Sequence, residues 1–378
     1  MQFEFTDDQL ELRDTARKLL ETACPPALVR AVYDGGGGDQ ATELWATLVG
    51  LDWPALGLPE DHGGIGFGFV EVAILVEELG RAVAPTPFLA TLTQLVPIVR
   101  EAGSSFRLAD IAAGRCTGTL AIAEHGAWRT DAVEATARAT GDAFVLDGVK
   151  SHVIDGATAD EVAVVARLAG TTGGDGLGVF VVPGATLSAT PTSVLDPTLP
   201  VATVTLAGVE VSGERVLVAP GDPRAALVVQ RALEEATTAM ALSTVASTRA
   251  IFEMTLQYAK DREQFGRPIG SFQALKHRLA DLYLSVERAA SLAYFATLTI
   301  AEDDPRRAVA TAMAKAAAGD CQRLVTRDGL QLHGGVGFTW EHDLHFLLKR
   351  AKSGDLLFGA AAAHRAQLAQ LLGLEPVA

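Results

Sequence analysis

The chain changes its residue pattern twice, and that order of patterns constrains the fold more than any single motif. Between Cys116 and Pro220 the runs TLAIA, FVLDGV, EVAVVARL, GVFVVP and ATVTLAGVEV are rich in β-branched residues and are punctuated by Gly, Asp and Pro. Short strands separated by turn signals predict an antiparallel barrel or sandwich. On both sides Ala and Leu recur at helical spacing with few β-branched runs. The reading is an α+β multidomain chain: an N-terminal helical domain over 1–115, a middle antiparallel β-barrel-like domain over 116–221, and a C-terminal helical bundle domain over 222–378. A length of 378 residues suits two or three domains, at a prior of roughly 150 residues each.

Local signals refine this. Thr6–Asp7–Asp8 starts a helix carrying Leu10, Leu12, Ala16, Leu19 and Leu20. Gly35–Gly38 reads as a loop, Ala41–Val49 as helix, Pro59–Gly68 as turns, and Val70–Gly80 as a helix with Gly80 as its C-cap. Asp147–Gly148 reads as a hairpin turn. After the Pro268–Gly270 break, Ser271 can cap the next helix. In that helix Phe272, Leu275, Leu279, Leu282, Val286, Ala289 and Ala293 form a seam, either ordinary core or a subunit interface. Asp303–Asp304–Pro305 ends it, and Ala-rich 306–328 begins another.

Composition removes several function classes. A net charge of −15 argues against a general nucleic-acid binder, which needs clustered Lys and Arg. Cys24, Cys116 and Cys321 are far apart and form no CxxC pair, which argues against a disulfide framework or zinc module and fits a reducing cytoplasm. The start MQFEFTDDQLELRD is acidic rather than a basic, apolar leader. No stretch approaches the ~18 apolar residues of a membrane span. His342 and His345 lie three apart beside Glu341 and Asp343 without an evident third ligand, so no metal is expected. There is no GxGxxG in a strand–helix context and no GxSxG elbow.

The chemistry concentrates in two strings. The first, from Tyr258, reads YAKDREQFGRPIGSFQALKHRLADLY. It offers a fixed cation at Arg262, an aromatic face at Phe265, a tight turn over Gly266–Gly270 and an amide at Gln273. A guanidinium pairs bidentately with a pyrophosphate, and an amide offers an adenine edge one donor and one acceptor. The second, from Gln331, reads QLHGGVGF. There Gly334 and Gly335 let backbone amides approach a phosphate or ribose with no Cβ in the way.

Together these strings resemble the flavin signatures of the acyl-CoA dehydrogenase family, including actinobacterial-type subunits. PEDHGGIGFG, EELG and the overall element order resemble it too, so the likeness covers essentially the whole chain. The resemblance implies a C-terminal four-helix-bundle domain and FAD as cofactor. It implies that Arg262 meets the FAD pyrophosphate, Phe265 packs nearby, Gln273 meets the adenine end, and Gln331, Gly334 and Gly335 touch the ADP part. In that family these contacts reach the FAD of a neighbouring subunit. It further implies an acyl-CoA or other acyl thioester as substrate and electron-transfer flavoprotein or a similar acceptor. The assembly would be a homodimer, homotetramer or heterotetramer with a homologous subunit, with neither nucleic acid nor membrane.

The family reaction needs a carboxylate in a dry cleft to take the α-proton while the β-hydride goes to the flavin. At the usual base position, within KRAKSGDLLFGAAAAHR, this chain has Phe358 before Gly359. At the second known location, on the helix before Tyr258, it has Ala236. Glu235, with Glu234 beside it, and Asp355 are the nearby carboxylates. One residue along a helix turns a side chain by about 100°. Where the family has TEPxxGSD this chain has AEHGAWRTD, in which only Glu124 and Asp131 echo the pattern. Where a Trp or an Ile-Thr pair faces the flavin ring it has Val153–Ile154–Asp155. Three readings stay open. One is a competent dehydrogenase using Glu235 or Asp355. Another is a non-catalytic, FAD-donating subunit of a heteromer. The third is a flavin-dependent monooxygenase on the same fold.

Overall fold

The computed structural model describes residues 4–374. In chain order the helices before the sheet are α1 (Asp7–Ala23), α2 (Pro26–Tyr33), α3 (Gly38–Val49), α4 (Phe69–Arg81), α5 (Phe88–Ala90), α6 (Val96–Glu101) and α7 (Leu108–Ala112). Eight strands follow: β1 (Gly118–Ala121), β2 (Thr136–Thr140), β3 (Ala143–Ile154), β4 (Glu161–Leu168), β5 (Leu177–Pro183), β6 (Ser188–Thr192), β7 (Val201–Ser212) and β8 (Val216–Val218). Then come α8 (Ala225–Asp261), the short β9 (Glu263–Gln264) and β10 (Arg267–Pro268), α9 (Gln273–Ala301), α10 (Arg307–His333), α11 (Leu344–Leu356) and α12 (Ala361–Leu371). Helices, a mostly antiparallel sheet and a helical bundle thus appear in the predicted order. No helix among the described residues is long and apolar enough to cross a membrane.

Two compact units divide this chain, with a boundary inside α8 between Ala236 and Thr237. The first joins residues before Gly38, the segment Phe69–Ala84 and everything from Thr237 onward. Its α1 opens on a reciprocal cap: Gln9 N donates to Thr6 Oγ1 at 3.2 Å and Thr6 N to Gln9 Oε1 at 3.0 Å. Ala16 and Leu20 are buried as α1 packs on α4. Leu279, Leu282, Val286, Ala289 and Ala293 of the α9 seam are buried as α9 packs on α10. The small side chains Ala310, Ala312, Ala314 and Ala318 are buried on α10.

Two local readings are corrected in this unit. Gly80 does not cap α4, which runs on to Arg81. A Cβ on Gly80 would lie 2.7 Å from Ser243 Cα, so the glycine permits a close approach of α4 and α8 backbones. The chain turns instead at Val83, with φ 53°. Ser271 does not cap α9 either. The cap position is Phe272, which makes no side-chain bond, and Ser271 sits in a 3-10 turn. The turn is drawn one residue early by Gly270, whose missing Cβ would meet Ala259 O at 2.8 Å.

The second unit joins Gly38–Gly68 to Pro85–Ala236. Its sheet runs β6-β7-β3-β2-β4-β5-β8, with β1 added beside β4. All pairs are antiparallel except β1–β4 and β2–β4. β4 is buried from Glu161 to Arg167, as befits a strand covered on both faces. The core gathers Leu146, Val162, Val164, Phe180, Val204 and Val211.

Asp147–Gly148 is not the hairpin turn. It lies within β3, at a bulge between Leu146 and Asp147, and the β2–β3 turn falls where Thr140 faces Ala143. Gly148 is needed for a different reason. Its φ is +145°, and a Cβ would sit 2.7 Å from that of Ala135. Asp147 Oδ1 accepts Gly208 N at 2.8 Å across the bulge.

Candidate functional site

The two signature strings meet at one end of the helical bundle. The ring of Tyr258, in the last turn of α8, stacks on that of His333, the last residue of α10, at 4.6 Å and 24°. Arg262 follows one turn after Tyr258 and Gly334 directly after His333. The His333 ring is buried, its Nδ1 donates to Gly329 O at 2.8 Å, and burial holds its pKa below the ordinary value. A neutral, stacked imidazole joins the two helix ends rather than acting as a base.

Beyond Arg262 the chain makes a two-residue hairpin, with Arg267 facing Gln264. Both tip residues are left-handed, Phe265 at φ 56° and Gly266 at φ 75°, which is the primed turn that matches strand twist. For phenylalanine this conformation costs on the order of 1–2 kcal/mol. The ring is 92% exposed, so burial repays none of that strain. Arg267 lies over the Phe272 ring at 4.2 Å, and Phe265 meets Phe272 edge-on at 6.2 Å. The hairpin is therefore stiff and its aromatic tip faces solvent.

The donor set fits the ADP end of a flavin nucleotide. Arg262, Gln273 and Gln331 are exposed. Among the described residues no side-chain hydrogen bond or ion pair engages any of the three. A Cβ on Gly334 or Gly335 would meet nothing within 4 Å, so a ligand can approach this backbone closely, although the Gly334 N–H itself donates to Leu330 O and Gln331 O at the end of α10. A cation, two free side-chain amides and a stretch of backbone without Cβ atoms are groups that suit a diphosphate and an adenine.

The two base positions look different. Phe358 is buried and left-handed at φ 59°, followed by Gly359 at φ 94°. The turn is held by the fully buried Lys315, whose Nζ donates to Gly354 O at 2.8 Å, Asp355 O at 2.9 Å and Gly359 O at 2.9 Å. Burial pushes the Lys315 pKa down to about 7 against the pull of Asp355. His364 Nε2 donates to Phe358 O at 2.8 Å, and burial with the neighbouring Lys315 pushes its pKa to about 4. The Asp355 carboxylate, itself buried, accepts from Gln322 Nε2 at 2.9 Å and Lys352 Nζ at 3.0 Å and presses on Gly319.

Ala236 is buried, as is Glu235 before it. Arg100 Nη2 donates to Glu235 Oε2 at 2.5 Å, and that carboxylate holds the Arg100 pKa up. Glu234 Oε1 accepts from Gln230 Nε2 at 2.9 Å.

On the sheet, Glu124 is a structural acid. Its carboxylate accepts Glu134 N at 2.8 Å and Ala135 N at 3.0 Å and pairs with Lys150, which is fully buried. Burial lowers the Lys150 pKa to about 8. Asp131 pairs with Arg129 on the surface. Val153 and Ile154 are buried between two left-handed residues, His152 and Asp155, both at φ 53°. The His152 ring lies 5.5 Å from that of Trp128. Sequence reasoning missed Lys150 and Lys315. The signal was present: each is a lone lysine inside an apolar strand or an alanine run, FVLDGVKSHVI and AMAKAAAG.

Of the paired histidines, His345 stacks on Trp340 at 4.5 Å, and His342 Nδ1 accepts Leu344 N at 3.2 Å. Among the described residues no group of three or more His, Cys, Asp or Glu is arranged to hold a metal.

Helices, a mostly antiparallel sheet and a C-terminal helical bundle, in that order, define the fold class. Residues 6–106 match the acyl-CoA dehydrogenase N-terminal domain and residues 226–373 the acyl-CoA dehydrogenase C-terminal domain. The chain is similar to the acyl-CoA dehydrogenase IpdE2 of Mycobacterium tuberculosis, at 33% identity over 91% of each chain. Its fold is similar to that of the Tcur3481–Tcur3483 steroid ACAD, at TM-score 0.85 and 29% identity over 97% of this chain and 98% of the other. It is likewise similar to the ChsE4–ChsE5 complex from Mycobacterium tuberculosis, at TM-score 0.85 and 25% identity over the full length of both. The chain belongs to the acyl-CoA dehydrogenase family, and so to the oxidoreductases acting on CH–CH bonds.

Proposed function

We propose that this chain is the FAD-donating subunit of a heteromeric acyl-CoA dehydrogenase, and that the α-proton base of the working site lies on a homologous partner. The observation carrying this reading is the contrast between the two ends of the chemistry. Arg262, Gln273 and Gln331 are exposed and unengaged, while the base positions hold the buried Phe358 and Ala236. Phenyl and methyl groups accept no proton. The neighbouring carboxylates are held in ion pairs and hydrogen bonds of their own. Glu235 is taken by Arg100, and Asp355 is held through Oδ2 by Gln322 and Lys352, its other oxygen lying buried against Gly319.

FAD, when bound, supplies the hydride acceptor. This chain's part would be to hold it: Arg262 would pair with the pyrophosphate, Gln273 and Gln331 would take polar edges at the ADP end, and the Cβ-free backbone at Gly334–Gly335 would let a phosphate or ribose come close. Phe265 covers apolar surface beside them. The outward-facing tip suits a cofactor seated mainly on another subunit. Two of the similar structures are named as two-component proteins, the Tcur3481–Tcur3483 steroid ACAD and the ChsE4–ChsE5 complex, which supports an assembly of unlike chains. The substrate of that assembly would be an acyl-CoA or other acyl thioester, and its oxidant electron-transfer flavoprotein or a similar acceptor.

The deciding measurement is the flavin-to-chain ratio. Purified alone, the chain should hold far less than one FAD. Co-purified with its homologous partner, it should gain FAD in fixed proportion and bleach with acyl-CoA. One FAD per chain in the lone protein, bleached by an acyl-CoA, would establish the competent-enzyme reading instead.

A further inference from the structure

We propose that Arg30, on α2, is the positioning residue for the loop Gly334–Phe338, and that it governs FAD binding through that loop rather than by contact. This rests on the reading above that the loop approaches the ADP end of FAD. The loop has little packing of its own. Gly334 and Gly335 have open space where a Cβ would be, and Val336 and Phe338 are 41% and 75% exposed. A segment so thinly packed opens locally unless its ends are fixed. Its front end is closed by His333, buried and stacked on Tyr258. At its back end, Thr339–Trp340, the anchors come from α2 and α11.

Arg30 supplies the anchor from α2. Its Nη1 donates to Trp340 O at 2.6 Å, and its Nη2 to Glu341 O at 3.2 Å and to Asp343 Oδ1 at 2.5 Å. Asp343 stands at the N-cap of α11, where an aspartate commonly caps. Here its carboxylate makes no cap bond and is turned to Arg30 instead. A planar fork of donors holds two successive carbonyls and a carboxylate at once; an ammonium on a flexible stem does not. The guanidinium also lies 4.9 Å over the Phe346 ring.

The surroundings of Arg30 converge on the same residue. Tyr33 is three positions further along α2 and so on the same face. It shares Lys349 with Trp340, the ammonium lying 4.6 Å over the Tyr33 ring and 4.5 Å over the Trp340 ring. His345 stacks on Trp340 at 4.5 Å, and its Nε2 donates at 3.0 Å to the carbonyl that Arg30 holds. Trp340 is thus gripped by ring and by carbonyl, two residues beyond Phe338. Arg30 reaches it across 310 positions of sequence, which joins α2 and the loop in one bracket. By linkage, a ligand that orders the loop then orders α2 as well.

The test uses the assembly of this chain with its homologous partner and reads FAD dissociation by flavin fluorescence. Arg30→Met should raise the dissociation constant about tenfold or more, the worth of one charge-assisted hydrogen bond. Arg30→Lys keeps the charge beside Asp343 and loses the fork. It should weaken FAD by a smaller factor, and it keeps the test open should Arg30→Met fold poorly. Arg262→Ala is the control for the flavin reading itself. Amide exchange is the second readout: saturating FAD should slow exchange across α2 in the parent and not in Arg30→Met. A staple that only holds the fold would lower the unfolding midpoint and leave the dissociation constant of the folded variant as it was. Unchanged FAD affinity in folded Arg30→Met, or in Arg30→Lys should Arg30→Met not fold, beside a weakened Arg262→Ala would overturn this proposal alone. Unchanged affinity in Arg262→Ala as well would overturn the reading of this end as a flavin grip, and this proposal with it. Exchange across α2 that ignores FAD in the parent would overturn the coupling.

Discussion

Replacing Lys315 with Met is the most revealing single change in the helical unit. The side chain is fully buried, and its Nζ lies within hydrogen-bond distance of three backbone carbonyls, of Gly354, Asp355 and Gly359. Methionine matches the aliphatic stem and removes all three bonds. Leaving these buried acceptors unpaired should cost about 3 kcal/mol at pH 7. The pH dependence separates this account from generic damage. Burial places the folded-state pKa at about 7, below the ordinary lysine value of 10.5. Between those values the unfolded chain binds the proton and the folded chain does not, so stability rises with pH across that window. The slope approaches about 1.4 kcal/mol per pH unit, and it vanishes below the folded value. Stability from this linkage is complete above the unfolded value and is lost as pH falls toward 7. Urea unfolding of wild type and Lys315→Met at pH 7.0, 7.75 and 8.5 reads the difference directly. The stability gap should widen with pH by up to about 2 kcal/mol. Parallel profiles for the two proteins would refute the claim that Lys315 is deprotonated in the folded state near neutrality.

Three further outcomes follow from the geometry. Arg262→Ala should strip FAD from the assembled protein while changing unfolding stability by no more than about 0.5 kcal/mol, because the residue is exposed; an unchanged flavin-to-protein absorbance ratio would remove its assigned role. Gly80→Ala forces a methyl against Ser243 at 2.7 Å and should cost about 1–3 kcal/mol in denaturant midpoint; a neutral result would mean the α4–α8 contact can relax. Lys150→Met breaks a buried pair with Glu124 and should destabilise the sheet unit by about 3 kcal/mol, seen as early loss of amide protection in β3.

The order of the elements was legible because hydrophobic period and β-branching are local properties. The strings around Arg262 and Gly334 were legible because they combine uncommon residue types in tight spacing. What escaped depends on contacts between distant segments. Asp147–Gly148 satisfies the chemistry of a turn, yet the bulge opposite Gly208 and the press of Ala135 decide its use. Gly80 satisfies a cap rule, yet Ser243, far along the chain, sets its role. The α9 seam carried two meanings, and packing against α10 resolves the buried positions as core within the chain. Lys150 and Lys315 were signalled only by their apolar neighbours, and burial shows what they do.

The outward hairpin tip has a consequence for how such a chain changes over generations. Phe265 and Arg262 project from the surface, whereas Phe358 and Ala236 sit in the interior. The two places differ in exposure and lie far apart along the chain, so a substitution at one need not disturb the other. Inheritance can therefore act on the two places separately. A gene copy can drift at its own reactive positions while whatever docks on the tip keeps that surface under selection.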